Sequence, residues 1–207
     1  MRQIDHLVYC VSNLERSMND FEKLTGVRPV FGGYHATQGT KNALVGLGNK
    51  CYLELLAIDH QNEDILPPRW MGIDLLGESK FTRWALHAEN LEKDADTVKN
   101  YNPVLSKVTG GQRKTAAGEL LKWQLSLPAA SPEVEVVPFF IDWSRSAAHP
   151  ADSLGRECGL LGIELKHPRP DIIGPVFEQL GLEVDLFEAA EASIRVTLNT
   201  PKGVITL

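Results

Sequence analysis

The sequence predicts an α+β fold in which βαβββ units repeat and form one curved mixed sheet, with a shortened third unit at the end. Two observations predict it. A buried strand, an amphipathic helix and three further strands follow one another at the start of the chain, and the same order recurs later. The segment SNLE at residues 12–15 is also echoed by ENLE at residues 89–92, 77 residues further on. Such a repeat outranks any single motif in deciding the fold.

The first unit is expected at residues 1–58. Ser12 or Asn13 is suited to the N-cap of its helix, and Gly26 is suited to the end of that helix. Gly48 and Asn49 form a tight hairpin signal between its last two strands. The predicted elements are a strand at 4–11, a helix at 14–25 and strands at 29–34, 41–47 and 51–58.

A linker at residues 59–80 separates the first unit from the second unit, which is expected at 81–143 and should pair with the first. A connection and the shortened third unit are expected at 144–207, with Gly181 ending its helix as Gly26 ends the first one. The predicted elements of the second unit are a strand at 81–88, a helix at 91–100 and strands at 105–108, 119–127 and 135–143.

The composition excludes several classes of partner. The 207 residues carry a formal net charge of −6 and no basic run, so a nucleic-acid partner lacks its electrostatic footprint. No apolar stretch approaches the ~20 residues that span a bilayer, so no membrane partner is expected. The three cysteines lack CxxC spacing, and their odd number without a signal-peptide pattern favours a reducing compartment. We therefore expect a cytoplasmic protein.

His6 and Glu54 are the strongest candidates for a site. Side chains alternate between the faces of a strand, so His6 should share a face with Ile4, Val8 and Cys10, and Glu54 with Tyr52 and Leu56. If both faces point into the concave side of the sheet, the two residues form a histidine–carboxylate pair in an apolar cup. Such a pair is half of a metal site.

Several stretches give the chain a resemblance to the vicinal oxygen chelate superfamily, and within it to uncharacterised glyoxalase-like domain proteins. They are IDHLV at residues 4–8, YLEL at 52–55, GGYH at 32–35, GTKNAL at 39–44, PRWMGID at 68–74 and PFFIDW at 138–143. The resemblance implies the glyoxalase/bleomycin-resistance type of cup. It does not name a reaction, because the superfamily contains lyases, isomerases, epimerases, extradiol dioxygenases and antibiotic-resistance proteins.

The resemblance also implies where a metal would lie. Paired units of the superfamily supply ligands from the first and last strand of each unit, and the first unit keeps His6 and Glu54 there. The second unit has Arg83 opposite His6 and residues 138–140 opposite Glu54, none of which ligates metals. Binding of a divalent ion (Zn, Mn, Fe or Ni) by His6 and Glu54 therefore stays an open alternative. His35 would be the third ligand that completes this metal site. No nucleotide cofactor is expected, because GxGxxG is absent.

Further candidates surround this pair. Glu54 and His35 are the candidate catalytic groups, and Thr40 and Asn42 can hydrogen-bond a ligand; the alternative for His35 is to tie down its own loop. Arg83 can pair with Glu54 or bind an anionic group. The remaining candidate residues are Arg113, Trp84, Trp123 and Phe140. They either bind a small, anionic and planar ligand or belong to the core.

Three functions stay open. The first is an enzyme that moves a proton next to a carbonyl group of a small carbonyl or carboxylate compound. The second is a protein that binds or sequesters a small ligand at a degenerate metal site. The third is a structural role in which side chains fill the cup. The third unit can extend the sheet or pair with a second chain, so a homodimer is expected.

Overall fold

Twelve strands and three helices form the protein in a computed structural model, which describes residues 2–115 and 118–207. Short 3-10 helices lie at Ile73–Leu75 and Pro150–Ser153. The strands and helices, in chain order, are β1 (Ile4–Cys10), α1 (Leu14–Thr25), β2 (Val30–His35), β3 (Thr40–Gly46), β4 (Tyr52–Ile58), β5 (Lys80–His87), α2 (Leu91–Thr97), β6 (Val108–Lys114), β7 (Leu120–Ser126), β8 (Phe139–Asp142), β9 (Gly159–His167), α3 (Pro170–Leu180), β10 (Asp185–Glu188), β11 (Ser193–Thr200) and β12 (Gly203–Thr206).

The echo between residues 12–15 and 89–92 marks two helix starts with the same cap. Asn13 precedes α1 and its side chain accepts a hydrogen bond from the backbone of Arg16. Asn90 precedes α2 and accepts from the backbone of Lys93 in the same way. Each asparagine satisfies a donor that the first turn of a helix leaves without a partner. The helix α1 ends at Gly26, whose φ of 83° lies in the left-handed region.

One mixed sheet contains the first eight strands in the order β2-β3-β4-β1-β5-β8-β7-β6. At its centre β1 pairs with β5 antiparallel, while β1–β4 and β5–β8 are parallel pairs. The two ends of the sheet meet where Arg113 on β6 donates a hydrogen bond to the carbonyl oxygen of Gly32 on β2. This nearly closed sheet confirms the predicted α+β cup.

A bulge in β1 changes which side chains share a face. The pairing of β1 with β5 shifts register between Ile4 and His6, so Asp5 is an extra residue in the ladder. Val8 and Cys10 belong to the inner apolar cluster, whereas Ile4 packs against the outer one. The expectation that Ile4 shares the face of His6 is therefore wrong.

The third unit forms a second sheet of four strands in the order β10-β9-β11-β12. It packs with α3 on the outer face of the large sheet, where Phe177 meets Trp84 edge to face at 6.4 Å. Of the two alternatives for the third unit, extension of the first sheet is wrong, because its strands pair only with one another among the described residues. Among residues 2–115 and 118–207, every helix is too short or too polar to span a bilayer.

Two predicted strands differ from the structure. Residues 105–107 form turns, in which the backbone of Leu105 donates to Asn102 and that of Lys107 to Val104, so β6 begins only at Val108. The strand expected at 135–143 is confined to Phe139–Asp142. Before it, the side chain of Glu135 accepts a hydrogen bond from the backbone of Val137 and so takes a donor that a longer strand would need.

Candidate functional site

The concave side of the large sheet encloses a buried space of about 20 Å³, here called the inner chamber. This volume admits about one water molecule. Its polar lining consists of five side chains: His6, His35, Asn42, Glu54 and Arg113. Its aromatic lining consists of Tyr52, Trp70, Trp123, Phe139 and Trp143. Six of the predicted site residues therefore line the inner chamber: His6, His35, Asn42, Glu54, Arg113 and Trp123. Thr40, which was also predicted, contacts His35 from behind.

Glu54 is the centre of the inner chamber. It lies on β4, is only 4% exposed, and its Oε1 atom accepts a hydrogen bond from the side-chain nitrogen of Asn42 over 2.6 Å. The Nε2 atom of His6 lies 3.8 Å from Oε2, and the Nε2 atom of His35 lies 3.9 Å from Oε1. A buried carboxylate therefore stands between two imidazole rings, the grouping that general acid–base chemistry uses.

His6 is held from behind by Asp5. Nδ1 of His6 lies 2.7 Å from Oδ1 of Asp5, while Oδ2 of Asp5 accepts from Nε1 of Trp143 and contacts Nε2 of His149, each at 3.1 Å. Burial alone would raise the pKa of Asp5, but hydrogen bonds from His149, His6 and His87 outweigh it and hold that pKa well below its usual range. An ionised Asp5 places a hydrogen on Nδ1 of His6, so in the neutral ring the lone pair of Nε2 faces Glu54.

His35 is both tied to its neighbours and open to Glu54. Its Nδ1 atom lies 3.0 Å from the hydroxyl of Thr40, which also accepts a hydrogen bond from Nε1 of Trp70 over 3.3 Å. Burial lowers the pKa of His35 to about 4, although Glu54 opposes the shift, so the ring is neutral at pH 7. The two roles considered for His35 thus coexist, since one ring nitrogen anchors β2 to β3 and the other faces the carboxylate.

The donors of the inner chamber do not fit a resident metal ion. His6 and Glu54 supply two ligands, fewer than the three of a zinc enzyme. The nitrogen of Asn42 blocks the third, because it lies 3.4 Å from Nε2 of His35 and 2.6 Å from Oε1 of Glu54. A cation cannot share that space with an N–H donor. No group of three or more His, Cys, Asp or Glu side chains in residues 2–115 and 118–207 is arranged to hold a metal.

Arg113 is the cation of the inner chamber. It lies on β6, is 6% exposed, and donates from Nη1 to the carbonyl oxygen of Gly32. Burial lowers its pKa, while Tyr52 and Glu54 oppose that shift. Because a guanidinium keeps its charge under such conditions, Arg113 places a positive charge beside Glu54.

Arg83 was expected near Glu54, but its guanidinium binds backbone carbonyl oxygens instead. Its Nη1 atom donates to the carbonyl oxygens of Thr82 and Glu133, and its Nη2 atom to those of Ala129 and Pro132, over 2.6–3.0 Å. Of the two roles considered for Arg83, the pairing with Glu54 is therefore wrong. The guanidinium instead fastens the loop before β8 to β5, because five fixed donors can satisfy carbonyls that no strand would pair.

Trp84 and Phe140 also do not line the inner chamber. Trp84 is fully buried in the outer cluster and donates from Nε1 to the carbonyl oxygen of Val136 over 2.7 Å. Phe140 lies in the same outer cluster, beneath the guanidinium of Arg2 at 5.4 Å. The alternation along β8 turns its neighbour Phe139 inward, with its edge against His6 at 5.3 Å.

Sequence reasoning missed several residues of the site. Simple alternation along β1 would place Asp5 on the face opposite His6, and only the bulge brings the two side chains together. Trp70 belongs to the segment expected to be a linker, yet its indole meets His35 edge to face at 5.4 Å. The one available signal for it was an aromatic residue within the PPRW motif at 67–70. His149 caps the helix Pro150–Ser153 and also contacts Asp5.

Comparisons with known proteins agree with this architecture. The family model described as a glyoxalase-like domain matches residues 4–181. None of the curated proteins matches the sequence.

Among solved structures, a hypothetical protein from Staphylococcus aureus is similar over 100% of this chain and 85% of its own, with 18% identity and a TM-score of 0.65. A variant of methylmalonyl-CoA epimerase from Streptomyces coelicolor matches over 72% of this chain and 99% of its own, with 16% identity and a TM-score of 0.46. The epimerase from Mycobacterium tuberculosis matches over 68% and 85%, with 15% identity and a TM-score of 0.42. Identities this low show a shared fold and nothing about the reaction.

Proposed function

The chain belongs to the glyoxalase-like domain family of the vicinal oxygen chelate superfamily, and from this premise we propose that it is an enzyme of small-molecule metabolism. The reaction is a proton transfer at the carbon next to the carbonyl group of a small carbonyl or carboxylate compound. The observation that carries this proposal is the carboxylate of Glu54 between Nε2 of His6 and Nε2 of His35, with all three side chains buried.

Three residues of the inner chamber have roles in this proposal. Glu54 takes the proton from the carbon. The ring of His6 is the second group that can hold it, because its Nδ1 atom contacts Asp5 and its Nε2 atom faces Glu54. The cation of Arg113 lies where it can stabilise negative charge on the carbonyl oxygen. The donor set does not fit a resident metal, so no step passes through one.

The second candidate function is ligand binding without turnover. The observation that favours it is the small volume of the inner chamber, about 20 Å³, which leaves no room for a whole substrate beside Glu54, so a bound ligand would lie outside the chamber and away from that carboxylate. On this hypothesis the aromatic side chains fill the cup, and the polar residues hold its strands together. A cytoplasmic location and a homodimer stay predictions under either function.

A hydrogen-exchange assay separates the two functions. The protein is incubated in D₂O with a panel of small ketones, 2-oxo acids and carboxylic acids, and NMR follows loss of the proton next to the carbonyl. Proton transfer by a positioned group contributes about 10²–10⁴-fold, so we expect Glu54→Gln to lose about that factor. The matched control is Glu164→Gln, which changes a partly exposed glutamate on the second sheet and should leave the rate unchanged.

Retention of the full exchange rate in Glu54→Gln would exclude Glu54 as the base. If compounds of the panel bind but no member exchanges, the binding function replaces the enzymatic one.

A further inference from the structure

A second cavity lies directly beside the inner chamber, where the two ends of the large sheet meet. We call it the seam cavity; its volume is about 360 Å³, within the usual range for small-ligand pockets. Its apolar walls come from β2, β3, β7 and the segment after the helix Pro150–Ser153: Val30, Phe31, Leu44, Leu121 and Leu154. The seam cavity therefore has the room for a ligand that the inner chamber lacks.

Arg113 is the shared wall of the two spaces. It lines both the seam cavity and the inner chamber, so a group bound to it in the cavity lies next to the chamber that contains Glu54. Nη1 donates to Gly32, and the other guanidinium nitrogens have no acceptor among the described residues. These N–H groups are the strongest unused donors at the boundary, and their planar fork matches a carboxylate.

Two acidic residues also line the seam cavity, and neither neutralises Arg113. The carboxylate of Asp152 accepts a hydrogen bond from the backbone of His149 over 3.0 Å and lies 3.8 Å from Nζ of Lys50. Glu119 is exposed at the rim, where water screens its charge. The buried charge within the cavity is thus the positive one of Arg113.

We propose that the seam cavity binds a small monocarboxylate with an apolar chain. The carboxylate bonds to the guanidinium of Arg113, and the chain packs on the apolar walls. This proposal rests on the proposed function, because Arg113 would hold the bound carboxylate next to the chamber that contains Glu54. It adds the class of substrate and the place where that substrate is held.

Binding of hexanoate and hexanamide measured by isothermal titration calorimetry tests the site. The two probes differ in charge and share an apolar chain, so the wild-type protein should bind hexanoate about tenfold or more tightly. Arg113→Gln should abolish that preference. The matched control, Lys122→Gln, removes the same charge from an exposed position on the neighbouring strand β7 and should change hexanoate affinity by less than about twofold.

Leu154→Trp fills the seam cavity without touching the cation, and it should weaken both probes about equally. Equal affinity of the wild-type protein for hexanoate and hexanamide would overturn the carboxylate assignment, and this comparison needs no variant to fold. Unchanged hexanoate affinity in Leu154→Trp would overturn the location.

Glu54→Gln separates this proposal from the proposed function. The variant should keep the preference for hexanoate over hexanamide and bind hexanoate at least as tightly as the wild-type protein, because Glu54 does not line the seam cavity and its negative charge beside Arg113 is removed. If the wild-type protein shows Glu54-dependent exchange but no preference for hexanoate, the substrate class is wrong and the function stands. If the preference is present and no exchange occurs, the site stands and the function is wrong.

Discussion

Asp5 and His6 are consecutive residues of one strand, yet the side chain of each contacts the other, with Nδ1 of His6 2.7 Å from Oδ1 of Asp5. Side chains of consecutive strand residues normally point to opposite faces. The bulge at Asp5 removes this restriction and gives the inner chamber a carboxylate behind its histidine. The bulge therefore decides which nitrogen of His6 faces Glu54.

Asp5→Asn should lower the free energy of unfolding at pH 7 by about 2–3 kcal/mol, because a neutral amide replaces an ionised acceptor in a fully buried network. The folded-state pKa of Asp5 is depressed, so its contribution is complete above the unfolded pKa near 4 and is lost as the pH falls below it. Urea denaturation at several pH values measures this. The control Asp171→Asn, at the surface, should have little effect. A difference between wild type and Asp5→Asn that stays constant down to pH 2 would contradict the prediction.

His35→Gln should remove one source of acid sensitivity. The folded-state pKa of His35 is about 4, below the ordinary value of 6.5, so the unfolded chain binds the proton more readily. Stability therefore falls as the pH drops from about 6.5 towards 4, by roughly 3 kcal/mol for this group. The variant should lose that slope, whereas His60→Gln, at an exposed position, should keep it. Parallel pH profiles for wild type and His35→Gln would show that His35 titrates normally.

Gly32→Ala should disturb the inner chamber through Asn42. A Cβ atom at Gly32 would lie within 2.3 Å of Oδ1 of Asn42, whose nitrogen holds Glu54. We expect a loss of about 1–3 kcal/mol in the free energy of unfolding and slower exchange in the D₂O assay. The matched control is Gly110→Ala on β6, where the nearest contact would be 3.7 Å. Equal effects of the two substitutions would mean that Asn42 moves aside without consequence.

Arg83→Lys should destabilise the protein and leave ligand affinity unchanged. A lysine cannot reach four carbonyl oxygens from one position, so we expect a loss of about 2–4 kcal/mol in the free energy of unfolding. Arg195→Lys, at an exposed position, is the control. Hexanoate titration of the folded variant provides the second measurement. A marked loss of hexanoate affinity with normal stability would support the anion-binding role predicted for Arg83 from the sequence.

Metal content should be well below one ion per chain in protein purified without chelators, as measured by inductively coupled plasma mass spectrometry. The reason is the donor set: two ligands, with the nitrogen of Asn42 in the third position. EDTA should leave the exchange rate unchanged. The prediction would be wrong if the protein contained one equivalent of Zn, Mn, Fe or Ni and lost it in both His6→Gln and Glu54→Gln. The side chain of Asn42 would then move away when a cation binds.

The repeat and the pair of His6 and Glu54 could be predicted because both depend on local rules. Helix caps recur at Asn13 and Asn90, and alternation on β1 and β4 places both site residues on the inner face. Phe140 could not be distinguished from Phe139, because an uninterrupted apolar run shows no polar face that fixes its orientation. Three of the four hydrogen bonds of Arg83 go to carbonyl oxygens that lie 46–50 residues away in the chain. No rule of sequence spacing predicts such partners.

The unequal contribution of the two halves to the inner chamber has a consequence for how such a protein can change. His6, His35, Asn42 and Glu54 all come from β1–β4, whereas Trp123 and Phe139 come from β7 and β8. The acid–base groups and these two aromatic walls are thus encoded in separate stretches of the gene, whereas Tyr52 on β4 and Arg113 on β6 do not follow that division. Smaller side chains at the two aromatic positions would enlarge the space around Glu54 without removing a titratable group. The range of substrates can therefore change through substitutions on β7 and β8, while the acid–base residues on β1–β4 stay the same.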